Sequence, residues 1–242
     1  MIKLIIKQAN WGVAGSIFGF VIGFFIKIYL IDIVGVDEWG KYVSAHAFSG
    51  AMSTIISFGI PWILIKYIPQ YVDDQLYKAK QLVKKTLLFT IIVSLLFLTL
   101  IYFLAPILDV FLYKEINNFT LILLLTSVNV PIAIFMGIII SLYRSTFRIK
   151  EIMLYGTFII VPIRAILTYF IFIYTQNIIY FIVIELLTTL FSLILLFYLF
   201  NRDVFSLSLF HHNKKFILNS DIKNYGKKMY ANSLVTFFNV LC

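Results

Sequence analysis

Four ionisable side chains sit inside runs that are otherwise apolar: Lys27 in GFVIGFFIKIYLID, His46 in YVSAHAFSGA, Arg164 in VPIRAILTYF and Glu185 in FIVIELLTTL. A charged group at the centre of a bilayer costs about 3 kcal/mol on insertion scales, so such a residue is paired, hydrated in a cavity, or reaches back to an interface. Cations at that depth suit an anionic ligand, and among membrane ligands a phosphate or pyrophosphate headgroup fits best. Histidine is the side-chain type that changes charge nearest neutral pH, so His46, with Glu185, is a candidate for a proton- or ion-responsive cavity wall. The pattern points to transport or lipid handling. It holds no nucleophile–base constellation, no Gly-rich phosphate loop for ATP, and no set of metal ligands, so no catalytic residue, cofactor or metal is expected. The pair His211 and His212 lacks nearby Cys or carboxylate partners and reads as part of a solvated loop.

The elements that must position these residues are transmembrane helices. Of 242 residues, 62% are hydrophobic and 13% charged, which sets the chain outside ordinary soluble domains. Crossing a bilayer takes roughly 20 mostly apolar helical residues. Six stretches qualify: Trp11 to Ile33, Tyr42 to Ile68, Thr86 to Leu108, Phe119 to Leu142, Ile152 to Tyr174, and Ile178 to Phe200. Residues 1–200 therefore form a six-span all-α lobe. Residues 201–230 read as a cytoplasmic linker with room for a short interfacial helix, and 231–242 as the start of a seventh span, cut short.

Charge sorts by side. Sixteen of the 20 Lys and Arg residues fall at the N-terminus or around the loops after the second, fourth and sixth spans. The loops on the other side hold a mixture of signs or no charge, so the N-terminus is expected in the cytoplasm. The net charge of +9 thus reports topology and not a nucleic-acid groove. The only cysteine is Cys242, which excludes an intrachain disulfide. Asn118-Phe119-Thr120 matches a glycosylation triplet, but it abuts a span and is read as chance.

Register places the four residues relative to one another. Gly15, Gly19 and Gly23 recur every four residues and Lys27 is the next step, so Lys27 lies near a small-residue stripe expected to face protein. The alternative is snorkelling, since the outer end of its span is roughly 9 Å away. A first hairpin folding at residues 36–37 sets His46 level with Lys27. A second, folding at Gln176, sets Arg164 level with residue 188 and within one turn of Glu185, so an Arg164–Glu185 pair joining the last two spans is expected. Pro131 and Pro162 leave carbonyls unpaired in the fourth and fifth spans and permit bending.

Two stretches resemble a known family. DIVGVDEWGKYVSAHAFSGAMSTIISFGIPWILIKYIPQY, from Asp32 to Tyr71, is similar to the early region of bacterial polysaccharide flippases of the Wzx type, with a turn at Gly35, Glu38, Trp39, Gly40 and Tyr42 and a Gly- and Ile-Pro-punctuated segment from Gly59 to Pro69. GIIISLYRSTFRIKE, from Gly137 to Glu151, looks like that family's basic cytoplasmic turn after the fourth helix. The resemblance implies a multidrug/oligosaccharidyl-lipid/polysaccharide exporter fold, with two six-helix lobes in the bacterial cytoplasmic membrane. It implies flipping of undecaprenyl-pyrophosphate-linked oligosaccharide for O-antigen, capsule or a similar surface polymer. Under it Lys27 and Arg164 are expected to engage the pyrophosphate, and His46 or Glu185 to couple an ion gradient. A multidrug cation exporter would carry acidic cavity residues instead. One lobe and the start of a seventh helix is half of that architecture, so the expected partners are the lipid-linked oligosaccharide, the bilayer, and a missing C-terminal lobe or partner chain. A membrane polymerase or glycosyltransferase and a non-transporting truncated product are the remaining alternatives.

Overall fold

A computed structural model describes residues 2–72, 75–112, 119–206 and 220–241. The described residues form helices: α1 (Ile2–Val34), α2 (Val36–Ile56), α3 (Ile60–Val72), α4 (Leu76–Leu112), α5 (Phe119–Ser145), a single turn α6 (Ile149–Glu151), a π-helical segment (Ile152–Phe158), α7 (Ile160–Thr175), α8 (Ile178–Asp203) and α9 (Ser220–Leu241). Four of these, α1, α4, α5 and α8, are each long and apolar enough to cross a membrane, the continuous run Ile149–Thr175 from α6 through α7 makes a fifth span, and α2 with α3, bent by 47°, makes a sixth when the pair is counted as one. The chain is an all-helical membrane protein. His211, His212 and Asn118 lie outside the described residues.

The lobe is organised around α5, which packs on α2, α3, α4 and α8. Its buried positions mix Ile and Leu with Thr126, Ser127, Ser141 and Ser145. Small hydroxylated residues suit such a centre because they let helices approach closely. Thr126 and Ser141 donate to the carbonyls of Ile122 and Gly137, four residues back, at 2.8 and 2.7 Å. Their polar atoms are thereby satisfied within the helix itself.

The second span departs from the expected continuous helix. It breaks at Ser57-Phe58-Gly59, where Phe58 (φ +47°) and Gly59 (φ +68°) both lie in the left-handed region. A phenylalanine there is strained by about 1 kcal/mol, and Pro61 sits in the first turn of the helix that restarts, where its missing N–H costs nothing. The fifth span also departs from α-helix. Pro162 offers no N–H and its ring crowds the carbonyl four residues back, in Phe158, and the turn ahead of it widens so that Ile159 N–H bonds Leu154 O, five residues back, at 3.1 Å.

That widened turn receives α1. A methyl added at Gly15 would overlap Met153 Sδ, and one at Gly19 would stand 3.2 Å from Thr157 Cγ2. The stripe therefore packs on the π-helical segment through Gly15 and Gly19, and is open at Gly23.

The last helix begins eleven residues before Ala231, at Ser220. The expected linker is thus helical over its final third. Ile222, Tyr225, Gly226, Met229 and Tyr230 recur at helical spacing on one side, whereas Lys223, Lys227 and Lys228 on the other are exposed. The apolar side lies on α3 and its break: Tyr225 meets Tyr67 edge to face, Lys66 Nζ stands 3.8 Å over the Tyr225 ring, and Tyr230 packs on Phe58.

Candidate functional site: an ion cluster across three helices

Arg164 on α7 is held from α8 at three points. Its Nε donates to Thr188 Oγ1 at 2.9 Å, its Nη2 donates to Thr189 Oγ1 at 2.8 Å, and its Nη1 stands 3.6 Å from Glu185 Oε1. The hairpin that creates this register turns at Gln176, in left-handed conformation, and restarts where the Asn177 side chain accepts from Ile179 N at 2.9 Å. A turn centred on Gln176 puts residues 164 and 188 level, and they are hydrogen-bonded.

The second oxygen of Glu185 faces α2. Tyr42 Oη donates to Glu185 Oε2 at 2.9 Å, and His46 Nδ1 lies 3.9 Å from the same oxygen and 3.5 Å from Tyr42 Oη. The cluster thus runs Arg164, Glu185, Tyr42, His46 and joins α7, α8 and α2. Its inner members are enclosed: the side chains of Glu185 and Arg164 are 12% and 23% exposed, and Tyr42 is buried, walled by Trp39 and Phe181. His46 is half exposed, so the network has one open end. The charge of Arg164 is spent on Glu185 and two hydroxyls, which makes it a poor free anchor for an anion and a strong tie between helices.

Lys27 stands apart. It is exposed on α1, and it makes no hydrogen bond or ion pair with a described residue. The expected level placement beside His46 produces no contact, because His46 turns to Tyr42 and Glu185 instead. Tyr42, Thr188 and Thr189 are members that residue-by-residue reasoning passed over. A search for charges overlooks them, although the hairpin register had already pointed to residue 188.

A family model described as "Polysaccharide biosynthesis protein" matches residues 5–241. The chain belongs to that family. The match spans all six crossings and α9, so the ion cluster, the broken second span and Lys27 all lie in a polysaccharide biosynthesis protein. No curated protein and no solved structure matches.

Proposed function

We propose that this polysaccharide biosynthesis protein translocates a lipid-linked oligosaccharide across the bacterial cytoplasmic membrane, holding the pyrophosphate on Lys27, and that it performs no catalytic step itself. The observation that carries the reading is a lysine in a membrane span, exposed and without a partner among the described residues, in a chain of this family. A lysine kept unpaired at that depth has a use for its charge. The Arg164–Glu185–Tyr42–His46 cluster takes the second role, ion coupling: Glu185 ties α8 to α7 and α2, and His46 is its link to solvent. In this reading the six-span lobe works against a second lobe, supplied by further chain or by a partner, because alternating access requires one bundle to rock on another.

The test is made in cells of the source organism. Disrupting the gene should abolish the surface polymer and accumulate lipid-linked oligosaccharide on the cytoplasmic leaflet. Lys27→Ala should do the same at unchanged membrane levels, and Lys27→Arg should keep part of the output. Normal polymer in Lys27→Ala cells would sink the assignment of Lys27 and leave it as a snorkelling residue.

A further inference from the structure

The break in the second span opens a cavity of roughly 220 Å³ between α2, α3, α5 and α9, lined by Ser53, Thr54, Ser57, Trp62, Gly137 and Ser233, among others. The room comes from Ala133 and Gly137, one turn apart on α5. Four hydroxyls meet there, and each has its own proton committed: Ser53 and Thr54 donate to Gly50 O at 2.8 and 3.1 Å, Ser57 to Thr54 O at 2.9 Å, and Ser233 to Met229 O at 2.9 Å. What a committed hydroxyl still offers is its oxygen lone pairs. The cavity is therefore an array of acceptors, with no cation and no carboxylate among the described residues that line it. It suits an uncharged ligand rich in O–H donors and gives a phosphate nothing to bind. Its apolar wall is Trp62, 48% exposed, a large flat indole left open beside polar groups.

A ligand that presents O–H donors along its edge and C–H groups on its face is a sugar ring, and an aromatic plane flanked by acceptors matches both. We infer that this cavity is a saccharide subsite, in which one pyranose ring lies against Trp62 and donates to the hydroxyls of Ser53, Thr54, Ser57 and Ser233. The inference rests on the translocation reading and extends it: the charged end of the substrate goes to Lys27 and the glycan to the broken span. The subsite uses both halves of the break, since Ser53 and Thr54 lie in the last turn of α2 and Ser57 caps it, whereas Trp62 lies in the first turn of α3. A change in the bend would move the stacking wall relative to the acceptors.

Two measurements decide it. In the first, Trp11→Phe and Trp39→Phe leave Trp62 as the sole tryptophan of the chain in nanodiscs. It is titrated with the reducing oligosaccharide released by mild acid from the organism's own surface polymer, and separately with inorganic pyrophosphate. Saturable change of Trp62 emission with the saccharide and none with pyrophosphate is expected, with apparent affinity about tenfold weaker when Ser53 and Ser57 are both Ala. In the second, Trp62→Ala should cut surface polymer about tenfold at equal membrane levels, and Trp62→Tyr, which keeps an aromatic plane, should stay within about twofold. Flat emission, or normal polymer from Trp62→Ala, overturns the subsite. If gene disruption leaves the polymer unchanged, the translocation reading fails on its own, and the emission titration still decides whether the cavity takes sugar.

Discussion

Removing Arg164 alone strands Glu185 as an unpaired carboxylate inside the lobe, and such half-broken pairs cost about 3–5 kcal/mol. Arg164→Ala should therefore lower the detergent melting temperature and membrane levels sharply. Arg164→Lys keeps the charge but cannot reach Thr188 and Thr189 together as the guanidinium does, so a smaller loss of stability is expected. The double change Arg164→Leu with Glu185→Leu separates scaffold from mechanism. It should restore membrane levels, because nothing charged is left buried, while surface polymer stays absent if Glu185 acts in transport. Full polymer from the double variant would reduce the cluster to a brace. At this scale the sequence was informative about charges and silent about their hydroxyl partners: Arg164 and Glu185 stand out in apolar runs, whereas Tyr42, Thr188 and Thr189 look like ordinary membrane-helix residues.

Helices, not single groups, decide how the break is held. Gly59 faces the α9 backbone: a methyl there would lie 3.1 Å from Tyr230 N and 3.2 Å from Gly226 O, both backbone atoms that have no rotamer to change. With φ at +68° as well, Gly59→Ala should destabilise by about 2 kcal/mol and loosen α9 from α3, seen as faster proteolysis between α8 and α9. Gly15 is a gentler case. Its neighbour is the Met153 side chain, whose Sδ and Cγ can rotate away but whose Cβ would stay 3.2 Å from the added methyl, so Gly15→Ala should be tolerated better than Gly59→Ala, and Met153→Ala should rescue it in part in a thermal melt. Long crossings were legible because apolar length alone defines them. The break was marked by Gly59 and Pro61 but read as part of one continuous span, since the left-handed Phe58 beside them has no signature in residue type. The start of α9 was visible in principle, in Ile222, Tyr225, Gly226, Met229 and Tyr230, but low mean hydropathy hid it from a search for spans.

For the whole molecule, the distribution of Lys and Arg sets an orientation that labelling can check. With Cys242 replaced by Ser, the chain has no thiol, so single cysteines report sidedness cleanly. Gln176→Cys should react with a membrane-impermeant maleimide added outside intact cells. Lys223→Cys should react only after permeabilisation. The reverse pattern would invert the topology.

The length of α4 has a mechanical corollary. Its 37 residues extend about 55 Å against a hydrocarbon core of about 30 Å, so the helix is longer than the bilayer is thick and its basic beginning, Leu76 to Lys85, forms a post that extends past the apolar stretch. At the foot of the post Lys80 Nζ holds Ser206 Oγ, just past the end of α8, at 3.2 Å. A helix of this length is a lever, with Pro106 near its far end the place where it bends most easily: a tilt of about 10° around its midpoint sweeps the basic end through about 5 Å. Small rearrangements among packed spans are thereby magnified at the basic end, and a displacement at Ser206 is geared down into a fine adjustment of the bundle.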